Sequence, residues 1–161
     1  MMPERGGFYA KKDRYRDARL NAMLDAYSAG RTSTQELENA AKVVMRKITA
    51  RIGLDSERRF TELALNSEKI KSVRKSSIND DAYKGIDEWV SFDEKLNLPT
   101  LPVQIKSSDS AVEEFRKTKQ YKNLDEKIIV INCGPRVSKK KFYKQLNSET
   151  GRIQKILKEQ R

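Results

Sequence analysis

The segment EKIIVINCG, residues 126–134, constrains the fold most. Its apolar residues run without alternation, so as a strand it must be covered on both faces. A sheet covered on both sides needs helices as its outer layers. The rest of the chain offers them. Helical periodicity spans about Tyr9–Ala29, with Gly30 as a stop. A second helix is predicted to about Ile52, opened by a Ser33/Glu36 capping box and ended by Gly53. SERRFTELALN reads as a third, capped by Asp55 or Ser56, and residues 1–8 read as a loose terminus before the first. The period then shortens. KIKSVRK (69–75) is a weak strand, with Ile70 and Val73 out of strict alternation. GIDEWVSF (85–92) is rich in strand formers and LPVQIKSS (101–108) is a third strand. SAVEEFRKTKQY reads as a helix with a Ser110/Glu113 capping box. The C-terminal SKKKFYKQLNSETGRIQKILKEQ is helical, with a break near Gly151.

The predicted architecture is α/β: a central mixed four-stranded sheet flanked by helices. An N-terminal helical extension (1–52) precedes the sheet-bearing domain (53–161), which closes on a basic helix.

Composition narrows the chemistry. The chain of 161 residues has no histidine, which removes Ser-His-Asp triads, Cys-His pairs and most zinc sites. A single cysteine, Cys133, excludes an internal disulfide framework, fits a reducing compartment and reads as inert at a strand end. No apolar run has transmembrane length, and the N-terminal residues lack the apolar core of a signal peptide, so a cytoplasmic, membrane-free protein is expected. The net charge of +11 points to a polyanion partner, nucleic acid first. Nine basic residues face two acidic ones over 136–161, whereas residues 76–98 carry six acidic against two basic.

That acidic island adjoins a polar pair in an otherwise apolar strand. In LPVQIKSS, alternation sends Leu101, Val103 and Ile105 one way and Gln104 and Lys106 the other. Paired as a hairpin, the preceding strand lays Asp87 beside them, and the helix before both brings Glu57 or Glu62. Glu88 is placed on the side of Ile86 and Val90, and Trp89 in the core. Such oxygen donors suit Mg²⁺, with Mn²⁺ as a substitute: a carboxylate from Asp87, an amide oxygen from Gln104 and the carbonyl of Ile105. Lys106 is positioned to orient water or neutralise a phosphate.

A helical glutamate, an aspartate in one strand and a Gln-Ile-Lys triplet in the next resemble the PD-(D/E)XK nuclease superfamily, which includes restriction endonucleases, Holliday-junction resolvases and some homing endonucleases. The resemblance spans roughly residues 53–135, and the α-β-β-β-α-β order is similar to that family's core. It implies a Mg²⁺-dependent DNA endonuclease with Asp87, Gln104, Lys106 and Glu57 catalytic, and Asp87, Gln104, Ile105 and Glu57 around the metal. Two departures stand out: the triplet opens with Gln in place of Glu or Asp, and no proline precedes Asp87. Lys139, Lys140, Lys141, Lys144, Arg58, Arg59 and Ser107 are the expected DNA contacts, although Ser107 and Ser108 also read as helix openers. One site per strand makes a homodimer or higher oligomer the simple way to cut a duplex. The neutral Gln supports an alternative, a DNA-binding protein that keeps the fold without the chemistry. A basic adaptor or RNA-binding protein, the third reading, requires Asp87, Gln104 and Lys106 to lie far apart.

Overall fold

A computed structural model describes residues 6–160, with side chains from residue 15. The first five residues of the expected loose terminus lie outside the described part. Contacts divide the chain into two units, 1–51 and 52–161.

In the first unit, helix α1 (Gly6–Ser28) is followed by the start of α2 (Thr34–Leu65). Gly30 takes the left-handed conformation (φ 84°) that ends a helix cheaply, and the Arg31 N–H bonds back to Ala26. The Ser33/Glu36 capping box forms: each side chain accepts from the other's N–H, both at 3.2 Å. The unit's buried apolar residues, among those described, are the alanines 22, 26 and 41.

The second and third predicted helices are one. α2 runs unbroken through Gly53 and past Asp55 and Ser56, whose expected capping role disappears. Instead, the Ser56 hydroxyl donates to Ile52 O one turn back (2.8 Å). A helical glycine costs only about 1 kcal/mol relative to alanine, too little to stop a helix whose flanks propagate it. The same holds for Gly151, which interrupts nothing in α5 (Lys139–Glu159).

The second unit is a three-layer sandwich. Strands β1 (Ile70–Lys75), β2 (Glu88–Phe92), β3 (Leu101–Lys106) and β4 (Ile129–Asn132) form one sheet in sequential order. β1–β2 and β2–β3 are antiparallel and β3–β4 is parallel, so the sheet is mixed. A register shift between Ile70 and Ser72 explains the broken alternation of β1, since it lets Ile70 and Val73 pack into the same core. That core lies between one sheet face and two helices, with Phe60 and Leu63 from α2 and Phe142, Leu146 and Ile153 from α5. On the other face, α3 (Asp109–Arg116) and α4 (Lys119–Asn123) cover Ile86, Ile128 and Val130 with Val112, Phe115 and Tyr121. The single helix expected over SAVEEFRKTKQY is therefore two, separated where Thr118 caps α4. The cap of α3 is Ser108, accepting from Ala111 N at 3.2 Å, not Ser110.

β4 sits at the sheet edge although its four residues are buried. Its outward backbone groups are satisfied by α5 side chains. Glu149 accepts from Val130 N (3.1 Å), Gln145 accepts from Asn132 N (3.2 Å) and donates to Asn132 O (3.3 Å), and Arg152 donates to Ile128 O (2.9 Å). Burial of Glu149 is balanced by Arg116 at 2.9 Å and Arg152 at 3.0 Å.

Neither Gly53 nor Gly151 has anything within 4 Å of an added Cβ. Gly53→Ala and Gly151→Ala should each stabilise the protein by about 0.5–1 kcal/mol in urea unfolding. A loss of stability in either would show that the glycine is needed as a joint.

Candidate active site

The site arises where β2 and β3 part. Their ladder runs from Val90↔Leu101 to Glu88↔Val103, and Asp87 N donates to Val103 O at 2.8 Å. Two residues further along β3, the N–H of Ile105 is met by a side chain, as Asp87 Oδ2 accepts from it at 2.5 Å. The same oxygen accepts from Gln104 Nε2 at 2.5 Å. Asp87 thus bonds a backbone amide at the strand end and touches the triplet at once.

Alternation along β3 holds. Val103 and Ile105 enter the core under α2 and α5, while Gln104 lies on the α3 side and Lys106 Nζ stands 5.1 Å from the centroid of the Phe115 ring. That distance allows a cation–π contact. Gly85 makes room for this arrangement. It has φ 65°, and a Cβ there would lie 2.9 Å from both Gln104 Oε1 and Phe115 Cε2. Of the two glutamates considered on the helix, Glu57 is close enough for its charge to raise Asp87. Glu62 is exposed and pairs with Arg58 at 4.0 Å. Glu57 itself pairs with Lys75 of β1 at 3.5 Å. Asp87, Gln104, Ile105, Lys106 and Glu57 therefore share one neighbourhood, which the adaptor reading excluded.

Burial pushes the Asp87 carboxyl up to about 7. The Ile105 N–H opposes the rise, Glu57 adds to it, Lys106 opposes it and Asp81 adds again. A carboxylate desolvated beside like charges is one that a bound cation would relieve. Among the described residues, no three His, Cys, Asp or Glu side chains are gathered to hold a metal ion. The donors that fit Mg²⁺ here are two carboxylates, Asp87 and Glu57, with the Gln104 amide and Ile105 carbonyl oxygens. Mg²⁺ commonly takes only one or two carboxylates and keeps several waters. Gln104 presents its NH₂ group to Asp87, so its oxygen would face a cation there only after the amide turns over.

Asp81 and Lys75 were not read from the sequence, and of Glu88 only its side of the strand was. Asp81, in the connection between β1 and β2, has no periodicity to mark it. Glu88 is 1% exposed on the core side, where Thr61 Oγ1 donates to its Oε1 at 2.8 Å and its Oε2 has no partner. Burial raises its pKa, against Thr61 and Lys75. Val90 shares that side, but Ile86 belongs to the opposite core because it precedes the strand and its alternation. Lys75 pairs across the ladder with Glu88, a register that the hairpin pattern could have supplied.

The expected DNA contacts are scattered. Arg59 is committed to structure, donating to Gly134 O at 2.6 Å and to Val137 O. Arg58 is exposed beside Asp55 and Glu62. Lys139, Lys140 and Lys144 are exposed on α5, whereas Lys141 pairs with Asp109 at 2.7 Å. Ser107 is exposed, and its carbonyl passes so close to Gly134 that a Cβ there would lie 2.1 Å away. Trp89 packs against the second core. Cys133 is buried, and its thiol is pushed up to about 12 by that burial, as suits an inert residue. Among the described residues no helix is long and apolar enough to cross a membrane.

Comparison with known proteins adds no relative: no family model, no curated protein and no solved structure matches the chain.

From its ordinary 3.8 to about 7, the raised Asp87 pKa means that the folded chain keeps a proton the unfolded chain has released. Stability from this group therefore falls as pH rises through that window and levels off above about 7. Asp87→Asn keeps acceptor geometry for Ile105 and removes the penalty. It should flatten the pH dependence and stabilise the protein at pH 8 by up to about 4 kcal/mol. Urea unfolding at pH 4.5, 6 and 8 checks this, and an unchanged slope in the variant would place the titration elsewhere.

Proposed function

We propose that this chain is a metal-dependent DNA endonuclease of the PD-(D/E)XK type. The observation that carries the reading is the direct contact of Asp87 with Gln104 and with the Ile105 amide, one residue before Lys106. Strand order β1-β2-β3-β4 and the helix that precedes it support the same reading. So does Glu57, whose charge reaches Asp87.

Asp87, Glu57, the Gln104 amide oxygen and the Ile105 carbonyl would hold Mg²⁺, with Mn²⁺ as a substitute. When bound, the cation acidifies water and offsets charge developing on a phosphate. Lys106 orients the attacking water and adds positive charge opposite the phosphate. Phe115 holds the Lys106 ammonium over its ring, and Gly85 leaves Gln104 the space to lie against Asp87. Exposed lysines 139, 140 and 144 supply sequence-independent phosphate contacts. A homodimer or higher oligomer would provide one site for each strand. A mobile-element or homing endonuclease and a resolvase both fit this chemistry.

The orientation of Gln104 favours a second reading. With its NH₂ on Asp87, the pair is satisfied without a cation, as in a DNA-binding protein that keeps the fold and lacks the chemistry.

Supercoiled plasmid and a branched DNA substrate, each incubated with Mg²⁺, Mn²⁺ or EDTA, separate the two. The nuclease reading expects nicking that EDTA abolishes and that Lys106→Ala reduces at least about 100-fold. DNA binding that is indifferent to both metal and Lys106, without cutting, would establish the second reading.

A further inference from the structure

The connection between β1 and β2 is more than a turn. It leaves β1 at Ser76, passes through one π-helical turn (Asp80–Lys84) and returns at Gly85 to Asp87. Its base is fastened to the candidate site, because Ser76 N donates to Asp87 O at 3.0 Å and Ile86 N to Asp80 O at 3.2 Å. Gln120 Nε2 of α4 donates to Tyr83 O at 3.3 Å, which ties its outer part to the helical layer. The path is therefore held, yet two large apolar side chains on it are bare: Ile78 is 87% exposed and Tyr83 77%.

Among the described residues, this exposed aromatic and exposed branched aliphatic are left almost uncovered on a loop that is itself held. Exposed cations stand on the segments next to them: Arg74 at the end of β1, and Lys119 and Lys122 on α4, the helix that holds Tyr83 O, whereas Lys75 is paired with Glu57 at 3.5 Å. Apolar side chains between cations match a nucleic acid whose phosphates meet the cations while a base step is unstacked by the apolar tip. Two acids lie in the same loop: the charge of Asp80 is taken by Lys84 at 2.7 Å, and exposed Asp81 acts on Asp87 at the loop's base.

We propose that Ile78 and Tyr83 form a wedge that enters DNA at an unstacked step beside Asp87, so that DNA with unpaired or branched bases is preferred over continuous duplex. This rests on the nuclease reading for its partner, DNA, and names the substrate class of the same site. The tip fills the space of a displaced base and Tyr83 offers a ring for stacking. A continuous duplex must first lose its own stacking to accept them, whereas a junction or bulge has already lost it.

The test uses the full chain and the double variant Ile78→Ser, Tyr83→Ser, whose changes lie at exposed positions. Thermal unfolding of both proteins checks that the fold is kept. Binding is read in EDTA, so cutting plays no part. The probes are a three-way junction carrying 2-aminopurine at the branch, the matching continuous duplex, and vesicles of phosphatidylserine and phosphatidylcholine. The wild-type protein is expected to bind the junction at least about fivefold tighter than the duplex and to raise 2-aminopurine fluorescence. The variant should bind duplex nearly as before and lose both the preference and the fluorescence rise. A variant that keeps both overturns the wedge, as does a wild-type protein without preference. Loop-dependent binding to vesicles with no effect on DNA would make the tip a membrane contact and overturn it too. Junction preference without cutting in Mg²⁺ would leave the wedge standing and sink the nuclease reading alone. Failure of both proteins to bind any DNA would sink both.

Discussion

Ile105 has a backbone N–H that the β2 ladder does not reach, and the Asp87 carboxylate meets it. β3 is paired on both sides, yet its antiparallel ladder to β2 ends at the Glu88–Val103 pair while its parallel ladder to β4 continues to Lys106–Asn132. An unsatisfied amide at that depth would cost about 1–3 kcal/mol. Asp87 meets the need from the end of β2 and in doing so is drawn into a half-buried position beside Gln104. The polar character of Gln104 and Lys106 follows from the same split, since they line the side of β3 that the parting strands open toward α3. Gly85 and Phe115 then define how closely they pack.

A second constraint ends the sheet at four strands. The outer edge of β4 would invite another strand, and a strand edge left bare is an aggregation hazard. Gln145, Glu149 and Arg152, spaced along one side of α5, stand in for that neighbour. The arrangement buries a carboxylate but surrounds it with two guanidiniums and a backbone amide, so its desolvation is offset. Arg152 and Arg59 are consequently structural. Each reads in the sequence as one more surface cation, and each is occupied with backbone carbonyls that only the folded chain places within reach.

Much of the site was legible because its parts are local. Strand alternation separated Gln104 and Lys106 from Val103 and Ile105, and a short hairpin brought Asp87 to a residue 17 positions later. The Ser33/Glu36 box was legible for the same reason. Misreadings occurred where local signals are weak or degenerate. Gly53 and Gly151 carry a helix penalty too small to decide a boundary. Ser108 and Ser110 are both plausible caps in sequence, and the exit direction of β3 selects the first. Ile86 defied alternation because it lies just outside the strand.

By itself the sequence determined the class of fold and the sign of the surface: apolar strands need covering layers, helical periods supply them, and an excess of lysine and arginine leaves the whole positive. It also determined that this chain has no histidine chemistry and no internal disulfide, because histidine is missing and cysteine solitary. Tertiary structure alone decided how the acids are surrounded. The effect of Glu57 on Asp87, the approach of Asp81, the burial of Glu88 beneath Thr61 and the amide orientation of Gln104 depend on contacts between segments far apart in the chain. The reason is electrostatic. A carboxyl acquires unusual properties only when burial removes its water and neighbouring charges act through the space that remains, and neither is written in local sequence.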